Sequence, residues 1–240
     1  MICYASRTGT KRNLAALRVA GWRLMVSRVG SWRTEGFPYA IDNGAWSDYT
    51  AGRDFDDERF QALVDKLGGA ADWVVAPDIV AGGIRSLRLS LVWLAPLLVR
   101  TRMVLIPVQD GMGPADLVNI VLPKRIGIFL GGSTEWKLAN MRLWGEFCAE
   151  RGVYYHVGRV NTQKRFRLAH MAGADSVDGS SASRYAETLP MLDFASRQWD
   201  MWMPPKRRDE QLAWAAIIEP EIAREAPRLA KWKPFTRPHP

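Results

Sequence analysis

The chain has 240 residues, 48% of them hydrophobic, and a formal net charge of +8, enough to bury one sizeable core and too little for two large domains. Its longest apolar stretch, Leu87 to Val99, is bounded by Arg85, Arg88 and Arg100 and falls short of the ~18 apolar residues a membrane span needs. Only Cys3 and Cys148 are present, and His156, His170 and His239 lie far apart, which argues against a disulfide framework and against a protein-held zinc, so no metal or other cofactor is expected.

Met1 to Ser6 reads as a strand with neither a basic leader nor a small-residue cleavage site, so a soluble, cytoplasmic protein is the expectation. Ile2 to Ala5 is the first predicted strand, and Lys11 to Ala20 a helix closed by Gly21. Strands follow at Arg23 to Ser27 and Tyr39 to Asp42. Asp56 to Leu67 is an amphipathic helix with Phe60, Leu63, Val64 and Leu67 on one face, stopped by Gly68 and Gly69. The strand Trp73 to Ala76 ends at Pro77. A helix from about Ser86 to Val99 leads to the strand Met103 to Pro107, and a short helix from Pro114 to the strand Ile126 to Leu130. Then come a helix from Thr134 to Arg151, the strand Val153 to Val157, a helix from Thr162 to Ala172 and the strand Asp175 to Val177.

Eight strands alternating with helices predict a parallel sheet closed into a (β/α)8 TIM-like barrel over residues 1–195, with an open doubly wound sheet as the alternative. Beyond Pro190 the periodicity fades. Residues 196–240 read as a basic C-terminal extension carrying Trp199, Trp202 and Lys206-Arg207-Arg208, a helix over about Asp209 to Ala230, and a Pro-rich end.

In such a barrel the C-terminal strand ends surround the active site, and here they are polar. The third strand ends in Asp42-Asn43-Gly44-Ala45-Trp46, the fourth in Pro77-Asp78, the fifth in Gln109-Asp110-Gly111 and the sixth in Gly131-Gly132-Ser133. The seventh ends in His156-Val157-Gly158 and the eighth in Asp178-Gly179-Ser180. Any one Asp here can be a turn residue or a helix N-cap; their recurrence at successive strand ends points to a site. A carboxylate pair suits nucleophilic and acid/base work at a glycosidic carbon.

In order and spacing, this set from about Ala40 to Arg184 resembles the tRNA-guanine transglycosylase superfamily of barrel enzymes. The resemblance implies Asp178 as nucleophile and Asp42 as general acid/base. It implies base binding by Asp78, Gln109 and the Gly131-Gly132 backbone, with Trp46 and His156 added as neighbours of the base. The chain lacks the Cys/His zinc insertion of tRNA-modifying members, and so looks more like the bacteriophage branch that places 7-deazaguanines such as preQ0 into DNA. DNA is therefore the expected partner, with tRNA the alternative, and a flipped guanine the target. Arg159, Lys164, Arg165, Arg167 and Arg184 are the candidate phosphate contacts, consistent with the +8 charge. A nucleoside hydrolase using the same carboxylates is the competing reading, and a non-catalytic nucleic-acid-binding barrel a third.

Overall fold

The computed structural model describes residues 1–120, 122–184 and 187–197. Eight parallel strands, β1 (Ile2–Ser6), β2 (Arg23–Ser27), β3 (Tyr39–Asp42), β4 (Val74–Val75), β5 (Val104–Val108), β6 (Ile126–Leu130), β7 (Tyr155–Val157) and β8 (Ser176–Gly179), pair in chain order. The barrel closes where β1 meets β8, in a register that sets Tyr4 opposite Asp178. It is a TIM-like α/β barrel, and the open-sheet alternative is excluded.

The helices are α1 (Lys11–Ala20), α2 (Ala45–Ala51), α3 (Asp57–Leu67), α4 (Ile84–Arg100), α5 (Thr134–Arg151), α6 (Gln163–Met171), α7 (Ser181–Arg184) and α8 (Thr188–Arg197). Asp56 caps α3 through Arg59 N–H, Ser133 caps α5 through Trp136 N–H and Thr162 caps α6 through Arg165 N–H, each satisfying a first-turn donor that has no intrahelical acceptor. Among the described residues, two crossovers carry no α-helix: β2 runs to β3 through a loop, and β5 to β6 through a 3-10 turn at Pro114–Leu117.

Several boundaries differ from the sequence expectation. β4 is two residues long, because Pro77 cannot donate to the ladder. β8 extends to Gly179, so Asp178 lies within the strand and not after it. α2 was not foreseen: Asp42-Asn43-Gly44 reads as a turn, yet Gly44 at φ +80° starts a helix. α8 runs to Arg197, across the boundary drawn at residue 195, and Trp22 Nε1 donates to its Asp193 at 3.1 Å. The expected helix at Asp209 to Ala230 lies outside the described residues. Among the described residues, no helix is long and apolar enough to cross a membrane.

Strand alternation splits the core in two. Cys3 and Ala5 face the helical layer, while Tyr4, Ala40, Trp73, Val75 and Leu105 fill the barrel axis, with Tyr4 and Trp73 edge to face at 5.0 Å. Outside, α5 lies so close to the turn after α6 that a Cβ on Gly145 would overlap the Ala172 carbonyl oxygen.

Candidate active site

A cavity of about 630 Å³ opens at the C-terminal ends of the strands, a size suited to a nucleoside. Asp42, Asp78, Gln109, Gly131, Gly132, Trp46 and Asp178 all line it, as do Arg159 and Arg184. The helix α6 carries the other three candidate phosphate contacts outside the lining. Arg165 is buried beside Phe166, Lys164 is half-buried and Arg167 is exposed.

Asp42 ends β3 and accepts from Gly44 N–H at 3.2 Å. A Cβ on Gly44 would crowd Ser27 Oγ and Val29 Cγ2 at 3.2 Å, so the turn needs glycine for both space and its left-handed φ. Burial pushes the Asp42 carboxyl up to about 6, and the charge of Asp178 adds to the shift; Ser27, Gly44 and Arg28 oppose it. Asp78 is likewise raised to about 6, chiefly by burial, against the pull of Asn43.

Asn43 ties these two strand ends together. Its Nδ2 donates to Ala76 O at 2.7 Å and to Asp78 Oδ1 at 2.8 Å, while its Oδ1 accepts from Ala45 N–H at the start of α2. Gln109, on the next strand end, donates through Nε2 to Ile79 O at 2.7 Å and Ser86 Oγ at 2.6 Å, and accepts from Ala81 N–H at 2.7 Å. It braces the loop that follows β4. Asp110 grips Ser133 twice, accepting from its N–H at 2.6 Å and its Oγ at 2.5 Å. Gly131 N–H is used by Val108 O at 2.9 Å, whereas Gly132 sits at φ +74° where a Cβ would strike Asp110 and Trp136.

Asp178 is almost fully buried, and its Oδ2 accepts from His156 Nε2 at 3.0 Å. His156 lies beneath the cavity and is not part of its lining. Its Nδ1 meets Ser176 Oγ at 2.7 Å, and its ring stacks on Phe129 at 4.8 Å. Burial lowers its pKa against the pull of Asp178; a ring proton on Nε2 serves the Asp178 carboxylate, and a neutral ring in that tautomer leaves Nδ1 to accept from the serine. His156 thus orients the carboxylate from below.

Lys137, which the sequence reading did not single out, is fully buried on α5 and donates through Nζ to Gly158 O. Burial pushes its pKa far down; Arg159 adds to this, while Asp178 and Asp110 oppose it. The signal was present in the sequence: Lys137, Met141, Trp144 and Cys148 recur at helical spacing along the buried stripe of α5. At the mouth, the Arg159 guanidinium lies 4.7 Å over the half-exposed Trp46 ring and donates to Gly132 O. Arg159 itself has φ +58°, an uncommon conformation for a non-glycine residue.

The fold and site define a TIM-like barrel with four carboxylates, Asp42, Asp78, Asp110 and Asp178, lining one cavity. No protein-family model matches the chain, and no curated protein matches it. Among the described residues, no group of three or more His, Cys, Asp or Glu side chains is arranged to hold a metal ion.

Proposed function

We propose that the chain is a DNA guanine transglycosylase, exchanging guanine in DNA for a 7-deazaguanine base such as preQ0. The observation that carries this reading is the electrostatically coupled pair Asp42 and Asp178, facing one nucleoside-sized cavity from β3 and β8. An Asp178 carboxylate oxygen attacks C1′ of the target deoxyribose as the bond from C1′ to N9 of guanine breaks. Protonated Asp42 gives its proton to the leaving base. The entering base then returns a proton to Asp42 as its nitrogen attacks C1′ and expels Asp178. A carboxyl held near 6 serves both directions close to neutral pH.

Asp78 supplies a carboxylate for the N1–H and amino group of the purine. Gly132, whose N–H has no acceptor among the described residues, supplies a donor for its carbonyl. Trp46 and Arg159 form a platform at the mouth against which a flipped base can stack.

The test is incorporation of labelled base into duplex DNA, unmodified tRNA and free nucleoside at matched salt. Labelling of DNA, lost in Asp178→Asn, is the expected result. Labelling of tRNA alone would favour the tRNA-guanine transglycosylase reading. Release of free base without incorporation would make the protein a hydrolase.

A further inference from the structure

A second cavity, of about 620 Å³, lies between the loop joining β2 to β3 and the helix α3. The loop after β2 reaches both cavities: Val29 lines the candidate active site and Gly30, the next residue, lines this one. Trp32 forms its aromatic wall. The indole Nε1 donates to Arg28 O at 3.2 Å, and Arg59 Nε donates to the same carbonyl at 3.0 Å. The Arg59 guanidinium stands 5.5 Å from the indole centroid and the Lys66 ammonium 6.0 Å. With Arg33, three cations line the cleft against one carboxylate, Glu58.

The loop that presents Trp32 and Arg33 is held in place by several ties. Glu35 sits at φ +52°, an uncommon conformation for a residue with a side chain. Its carboxylate pairs with Arg7 at 3.0 Å and with Arg33 at 3.1 Å, and its carbonyl accepts from Arg18 at 2.7 Å. Arg7 Nε also donates to Arg33 O at 3.1 Å. Strained, over-determined segments cluster at binding sites, and this one stands where the barrel has a loop in place of a helix.

We propose that this cleft binds a nucleotide flanking the target, within a single-stranded stretch of the substrate. Trp32 stacks on the flanking base while Lys66 and Arg33 meet its phosphates. The proposal rests on the reading of the protein as a polymer-modifying transglycosylase, since the loop that follows β2 contributes Val29 to the nucleoside cavity and Gly30 to the cleft. An aromatic face among cations is the pairing that single-stranded nucleic acid requires, since every base offers a stacking face and every linkage a negative charge.

Binding of a fluorescent single-stranded DNA of about ten nucleotides to the full-length protein, read by anisotropy, tests it. Trp32→Ala should weaken binding about tenfold, with Trp32→Phe recovering most of the loss. Lys66→Glu should weaken binding and reduce the salt dependence by roughly 0.7 in log–log slope, the share of one phosphate contact on a single strand. Lys124→Glu removes the same charge from an exposed position before β6, outside the cleft lining, and should leave binding unchanged. Melting curves for each variant identify any that misfold. The proposal is overturned if the wild type binds no oligonucleotide, if folded Trp32→Ala and Lys66→Glu bind like the wild type, or if Lys124→Glu is as weak as Lys66→Glu. Binding is read without turnover, so failed exchange with cleft-dependent binding rejects only the transglycosylase reading. Intact exchange with cleft-independent binding rejects only the cleft.

Discussion

Replacing Asp42 by Asn should make the protein more stable at neutral pH while crippling its chemistry. In the fold the Asp42 carboxyl is held near 6 by burial and by Asp178, against about 4 in an unfolded chain. Between those two values the native state keeps a proton that the unfolded state releases. Stability therefore falls as pH rises through that window, and the full cost persists above it. Two units correspond to about 3 kcal/mol, and water in the cavity reduces this to roughly 1–2 kcal/mol. Asn is uncharged at every pH and retains an oxygen for Gly44 N–H. For a domain of this size the gain should appear as a melting temperature about 2–8 °C higher at pH 7.5, vanishing near pH 4. Paired thermal melts of wild type and Asp42→Asn between pH 4 and 8 are the assay. A variant that is less stable than wild type at pH 7.5, or a gain that does not shrink with acidification, would refute the reasoning.

Three further outcomes follow from the geometry. Asp178→Asn should lower exchange by at least about 10³-fold, as loss of a nucleophile does, while leaving the fold intact by circular dichroism; substantial residual turnover would remove Asp178 from that role. His156→Phe keeps the ring on Phe129 but removes the His156 partner of Ser176 Oγ and of the buried Asp178 Oδ2, costing roughly 2–4 kcal/mol in chemical denaturation. His156→Gln, which can still donate, should recover part of both stability and turnover. Gly145→Ala forces the Ala172 carbonyl away and should cost about 1–3 kcal/mol with little change in KM, read from melts and steady-state kinetics.

The barrel was legible because each β-rich run was short, apolar and bounded by a helix-period segment. What escaped depended on contacts between elements. Asp178-Gly179 reads as a turn, and only pairing with β1 keeps Asp178 in a strand. His156 looked like one more polar residue at a strand end, but the inward turn of β7 sets it under Asp178 among Phe129, Trp73 and Tyr4. Arg165 follows two exposed-looking residues, yet it falls on the buried side of α6 with Phe166, Leu168 and Ala169. Asn43 shows no role in the sequence, since its two partners across the gap to β4 are 33 and 35 residues away. The cleft beside Trp32 left no periodic trace, because loops carry none.

Gln109 gives the cavity an unusual thermodynamic character. With Ile79, Ser86 and Ala81 already on its amide, the site is a closed circuit before any ligand arrives. A base that engages Gln109 exchanges one set of hydrogen bonds for another, so its affinity reflects a difference between two satisfied states and not the full strength of new bonds. Discrimination then falls on molecules that cannot complete the exchange, since they leave the loop after β4 opened and its amides unmatched. On the proposed reading, selectivity of this kind comes with modest ground-state affinity and would couple recognition of the base to rearrangement of the Gln109 contacts with Ile79, Ala81 and Ser86.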